Sequence, residues 1–186
     1  TPTLFPGNAG LTAAIEAWAE RDLFWPLVRY VSGINAERMP AELHVDRAAM
    51  LGKRSPSLSR LKAVAERSLG VVQAQIFQVD AMLADGRPYL LADAPGLADI
   101  AVYHGLWFLS ALPIDCSEQL KPYPNIQAWM ARIEAIGHGD TADMTAREAL
   151  EAARTAAPAP VGASHPADHD LPLGTRVAIG PDNYRT

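Results

Sequence analysis

A chain of 186 residues is long enough for one domain with a sizeable core plus an extension. Its formal net charge of −5, with no cluster of Lys and Arg, excludes a nucleic-acid surface. One cysteine, Cys116, excludes an internal disulfide and fits a reducing compartment, and no apolar stretch is long enough to span a bilayer.

Residues 1–10 carry Pro2, Pro6 and Gly7 and read as an extended linker with no signal-peptide pattern, so a cytoplasmic protein is expected. A first helix is predicted over Leu11–Ile34. Leu11, Ile15, Trp18, Asp22 and Trp25 follow one stripe; Ala17, Phe24, Leu27, Val28 and Val31 follow the next. Pro26 removes an N–H and crowds the carbonyl of Asp22, which predicts a kink there. Such a kink turns Trp18 and Trp25 in different directions, with Trp18 the one expected to line a cleft. Residues 35–54 are polar and mixed, with a short helical turn near Val45–Leu51. Ser55 as cap and Pro56 at the first position open a long helix to about Ala84. Leu61, Ala65, Leu69, Val72, Ile76, Val79 and Leu83 step along it by three or four.

Gly86 and Pro88 separate that helix from the stretch that organises the chain. Tyr89-Leu90-Leu91 is a short apolar run, and Asp93 to Gly96 form a tight connection. The next helix runs from Leu97 to Pro113. Leu97, Ile100, Ala101, His104, Phe108 and Ala111 share one face, and Val102 and Trp107 add apolar area off it. A helix apolar on several sides is central. With Gly96 as N-cap, Asp99 is the third helical residue and its carboxylate accepts from the Gly96 N–H. Pro95 and Ile100 stand at hydrophobic-staple spacing. His104 reads as a core histidine bonded to a backbone carbonyl, and Gly105 as a site of close helix packing. A further helix starts near Pro124, carries Ile126, Trp129, Ile133 and Ile136, and ends at Gly137-His138-Gly139. Thr145 and Glu148 form the capping box of a last helix that reaches about Ala156. Residues 157–172 are a Pro-rich linker. In the tail, 173–186, Thr175, Val177 and Ile179 alternate as in a short strand, with Val177 and Ile179 expected as buried anchors.

Two segments carry a resemblance. Leu91-Ala92-Asp93-Ala94-Pro95-Gly96-Leu97-Ala98-Asp99-Ile100 resembles the capping box and staple in the C-terminal helical domain of the glutathione transferase superfamily. Ala92 stands where that family usually has Gly, and Gly96 where it usually has Ser or Thr. Tyr123-Pro124-Asn125-Ile126-Gln127-Ala128-Trp129 is similar to the family's Tyr-Pro-x-hydrophobic-x-x-Trp helix start. The resemblance covers roughly Leu4 to Ala156. It implies an all-α bundle of five to six helices over 11–156, flanked by the 1–10 linker, the 157–172 linker and a tail that vaguely resembles the opening of a small β domain.

The resemblance also implies a function. Such a domain supplies the hydrophobic electrophile pocket for glutathione conjugation in detoxification. A thioredoxin-like half, which this sequence does not contain, binds and activates glutathione as co-substrate. The first helix lines the pocket in that family, which points to Trp18, Asp22 and Trp25, with Trp107 on the central helix. Gly96 and Asp99 are structural caps. No catalytic residue carries over, so the chain alone is expected to be inactive, and its parent a homodimer. The rival reading is an interaction scaffold, as in similar domains of translation factors and synthetase complexes; a third is a non-catalytic carrier of apolar ligands.

Blander readings accompany each residue. Each tryptophan reads more often as core packing than as pocket wall, and Asp22 as a solvated helix face or a side chain bonding across the Pro26 kink. Cys116 has no adjacent His, and Asp115 and Glu118 raise its pKa. His165, Asp168, His169 and Asp170 look like metal ligands, but one cluster on a linker makes no closed site, so no metal is expected.

Overall fold

The computed structural model describes residues 4–160, 171–172 and 174–180. Among them every regular element is helical: α1 Ala9–Trp18, a π-turn Ala19–Leu23, α2 Phe24–Ile34, α3 Ala41–Met50, α4 Leu58–Met82, α5 Leu97–Trp107, α6 Pro124–Glu134 and α7 Ala146–Thr155. Short 3-10 turns follow α5 at Phe108–Ser110 and precede α6 at Ser117–Leu120. The all-α expectation holds. Contacts divide the described residues after Gly137 into two units.

The first unit is the bundle. α2 lies along α4 and α1 along α5. Leu23, Leu27 and Val31 meet Val72, Ile76 and Val79, and Val102, Leu106 and Leu109 of the α5 region close the core with Ile126 and Trp129. The closest approach is at Gly33. A Cβ there would stand 2.5 Å from the Leu61 carbonyl oxygen and 2.6 Å from the Ala65 Cβ, so α2 and α4 touch backbone to backbone. Gly105 plays a milder version of the same part, with Leu23 and Leu27 3.4 Å from where its Cβ would be. Gly86 (φ +80°) lies beyond the end of α4, where the left-handed region favours glycine.

Several expectations need correction. The first helix is two α-helices joined by a π-turn, because one surplus residue lies between two segments that are both anchored in the core. The short turn near Val45 is a full helix from Ala41. α4 starts after Ser57, not Ser55: the Ser57 Oγ accepts from the Arg60 N–H at 3.3 Å, while Ser55 and Pro56 stay outside the helix. The central helix buries a different face from the one assigned. Ala98, Asp99, Val102, Gly105 and Leu106 point inward, whereas Ile100 is 46% exposed and His104 is exposed. A helix apolar all round has no contrast from which periodicity can pick the inner face.

In the second unit, Thr145 and Glu148 form the expected capping box: the Thr145 N–H donates to Glu148 Oε2 at 2.8 Å and the Glu148 N–H to Thr145 Oγ1 at 3.3 Å. Every residue of α7 is exposed. The strand expected at Thr175–Ile179 is not formed. Val177 is 53% and Ile179 93% exposed, so neither is a buried anchor; a lone strand has no ladder partner to hold it. His165, Asp168, His169 and Asp170 lie outside the described residues.

Candidate binding site

Asp99 is buried at the start of α5 and holds three donors. Its Oδ2 accepts from the Gly96 N–H at 3.0 Å, as the cap reading requires. Its Oδ1 accepts from the Leu90 N–H at 2.8 Å and from the Trp129 Nε1–H at 2.9 Å. The carboxylate therefore ties the loop before α5, the α5 N-terminus and α6 into one corner. Gly96 has extended backbone (φ −135°), so its conformation does not demand glycine. Space does: a Cβ would meet the Pro6 Cδ at 2.7 Å and the Leu4 carbonyl oxygen at 3.1 Å. The Leu97 N–H donates to that same Leu4 oxygen at 2.8 Å, seating the N-terminal segment on the head of α5.

The aromatic candidates separate into two groups. Phe24 stacks on His104 with centroids 5.0 Å apart and planes at 26°, and His104 stacks on Trp107 at 6.4 Å and 21°. Trp25 adjoins Phe24 at 6.1 Å and Phe108 adjoins it at 6.0 Å. Trp25 and Trp107 thus belong to one aromatic row across α2 and α5, and Trp107 keeps 45% of its surface open. Trp18 does not join this row; it packs, half-buried, on the margin of the core. Asp22 is exposed within the π-turn. Sequence reasoning missed Phe24, Phe108 and His104 as members of the row, having assigned His104 to the interior.

The family model described as "Glutathione S-transferase, C-terminal domain" matches residues 39–136, more than half of the chain. The chain belongs to the glutathione S-transferase C-terminal domain family. Among solved structures it is similar to a GST-like protein from Pseudomonas syringae, with 25% identity, a TM-score of 0.62, 89% of this chain and 50% of that chain covered. The β-etherase LigF from Sphingobium sp. strain SYK-6 aligns at 17% identity and a TM-score of 0.48, over 68% of this chain and 57% of that one. The chain spans about half the length of the Pseudomonas syringae protein. No curated protein sequence matches.

Cys116 is buried, and burial, then Asp115 and Glu118, push its pKa up. Tyr30 is raised too, chiefly by burial, with Cys116 and Glu118 adding and the Gln119 hydrogen bond opposing. Neither is poised as a nucleophile at neutral pH. Among the described residues no group of three or more His, Cys, Asp or Glu is placed to hold a metal ion, and no helix is long and apolar enough to cross a membrane. A shallow pocket of about 340 Å³ lies between α3 and the start of α4, lined by residues such as Met39, His44, Val45 and Leu58. None of Trp18, Asp22, Trp25 or Trp107 borders it.

A second tie escaped the sequence. Buried Asn35, at the end of α2, accepts from the Ile114 N–H at 2.7 Å and donates to the Ile114 carbonyl at 3.1 Å and to the Val31 carbonyl at 3.0 Å. It fixes the segment after α5 to α2, across 79 residues of chain. One polar residue in a polar stretch gave no periodic signal.

Proposed function

We propose that this chain is the helical half of a cytoplasmic, glutathione-transferase-like detoxification protein, and that its aromatic row forms one wall of the site for an apolar electrophile. The observation that carries this reading is the near-parallel stack Phe24–His104–Trp107, whose outer ring remains 45% exposed. Electrophile pockets of this kind are mostly apolar with few polar groups, and a planar electrophile gains from a flat aromatic wall. Glutathione would be bound and its thiol activated by a thioredoxin-like half; the thiolate would then attack the electrophile held on the row. The chain alone is inactive in this reading. Exposed Leu4, Phe5 and Leu11 suit the docking of that half, since the N-terminal segment they flank is bonded to the head of α5. The outward face of α4, with Val71 and Phe77 exposed, suits a homodimer contact.

The test is a conjugation assay on the full-length parent with glutathione and a chloronitrobenzene. Trp25→Ala and Trp107→Ala are expected to raise KM for the electrophile while leaving KM for glutathione unchanged. No turnover by a folded parent that retains no glutathione would overturn the transferase reading in favour of an interaction scaffold.

A further inference from the structure

We infer that the aromatic row takes planar aromatic molecules that carry an oxygen acceptor, such as a carbonyl or nitro group, and that His104 is the residue that reads this oxygen. The inference rests on the reading of the row as a ligand wall and adds the class of ligand to it.

The row is apolar in area but not in its hydrogen bonding. His104 is exposed and stands near-parallel to Phe24 at 5.0 Å and to Trp107 at 6.4 Å. Among the described residues no hydrogen bond or ion pair holds its ring nitrogens. The backbone carbonyl partner expected of a core histidine is not there. Trp25 and Trp107 each add an indole N–H, and among the described residues neither bonds a protein acceptor. The indole N–H of Trp129, by contrast, is spent on Asp99.

The sense of these groups fixes the class of ligand. An indole nitrogen only donates. An imidazole keeps at least one N–H in every protonation state, and has an acceptor only when neutral. The row therefore offers donors at His104, Trp25 and Trp107, and at most one acceptor, on His104. A flat ligand settling on the row strips water from the groups it covers. A hydrocarbon leaves a covered N–H unpaired, which offsets part of the gain from aromatic contact; a ligand oxygen takes the bond over. His104 is the donor best placed for this. It adjoins both Phe24 and the open Trp107, so a ring laid on either has its rim beside the imidazole. Trp25 is half-buried and adjoins the row through Phe24.

The test compares 2-acetylnaphthalene with 2-isopropenylnaphthalene, which has nearly the same shape and a CH2 group in place of the oxygen. Both are titrated by NMR into the native chain and into His104→Phe, which keeps an aromatic ring beside Phe24 and loses the nitrogens. The quantity read is the ratio of the two dissociation constants, because the differing hydration of the two ligands cancels between native chain and variant. The preference for the acetyl compound should fall about fivefold in the variant, the net effect of one hydrogen bond. In the native chain the His104 ring-nitrogen signals should move several-fold further with the acetyl compound than with the hydrocarbon. Trp107→Ala should weaken both ligands.

An unchanged ratio in His104→Phe, with both ligands bound and both weakened by Trp107→Ala, overturns the inference and leaves the row an unselective apolar wall. Equal movement of the His104 nitrogen signals with the two ligands overturns it as well. If neither ligand binds the native chain, or both ignore Trp107→Ala, the row is not the site, and the proposed electrophile wall falls together with the inference.

Discussion

Trp129 donates its indole N–H to Asp99 across 30 residues of chain, at 2.9 Å and inside the core. The two motifs that carry the family resemblance are therefore one physical device. The carboxylate that starts α5 also orients the largest fully buried side chain among the described residues.

Asp99→Ala leaves three buried donors, at Leu90, Gly96 and Trp129, without their acceptor. Each orphaned donor costs about 1–3 kcal/mol, less whatever relaxation recovers, so a loss of about 3–5 kcal/mol is expected. Thermal unfolding should show a melting point lower by about 10 °C. Trp129→Phe keeps most of the packing and removes one donor, for a smaller loss of about 1–2 kcal/mol. The double variant should cost less than the sum of the two, because both remove the same bond.

Gly96→Ser would be stabilising if the cap position were open, since serine adds a side-chain acceptor. Pro6 closes it. A Cβ 2.7 Å from the proline ring forces the N-terminal segment off α5, and the substitution should destabilise by about 1–3 kcal/mol. Adding Pro6→Ala removes the obstructing ring atoms. The double variant should recover most of the loss in a denaturant titration, which a backbone-strain explanation would not allow.

Gly33→Ala places its methyl 2.5 Å from the Leu61 carbonyl, which belongs to a helix backbone and cannot swing aside. A destabilisation of about 2–3 kcal/mol is expected, against under about 1.5 kcal/mol for Gly105→Ala, where leucine side chains can adjust. Denaturation midpoints of the two variants give the comparison directly.

Alkaline pH should loosen the bundle in two steps. Cys116 and Tyr30 both have raised pKa values in the folded chain, so the native state holds its protons longer than the unfolded one. Their contributions are complete below the ordinary values, roughly 8.5 for a thiol and 10 for a phenol, and fade as pH rises through the folded ones. Cys116→Val should remove the earlier decline and leave the later one, as read from stability measured between neutral pH and pH 11.

The long elements were legible because their apolar positions repeat. The spacing of Ala65, Val72, Ile76, Val79 and Leu83 marked α4 and its buried face, and all five are buried. The Asp99 cap was legible because its partner lies three residues away. Three kinds of feature were not. The inner face of α5 has no polar contrast, so His104 went to the wrong side. The π-turn depends on how two anchored segments disagree in register, which no single stripe records. Asn35 and Ile114 meet only through tertiary folding, and neither belongs to a repeating pattern. The candidate residues Trp25 and Trp107 came from family resemblance, but the stack that joins them runs through Phe24 and His104, which periodicity marked as apolar helix faces and nothing marked as part of a site.

Of the four tryptophans, Trp129 and Trp107 stand at the two ends of the range of burial. Trp129 is fully buried, and its emission is expected to move toward the red when the core opens. Trp107 keeps 45% of its surface open, and a molecule settling on the row is expected to dim it while leaving the buried Trp129 untouched. Unfolding and occupancy therefore act first on different tryptophans, with no label attached.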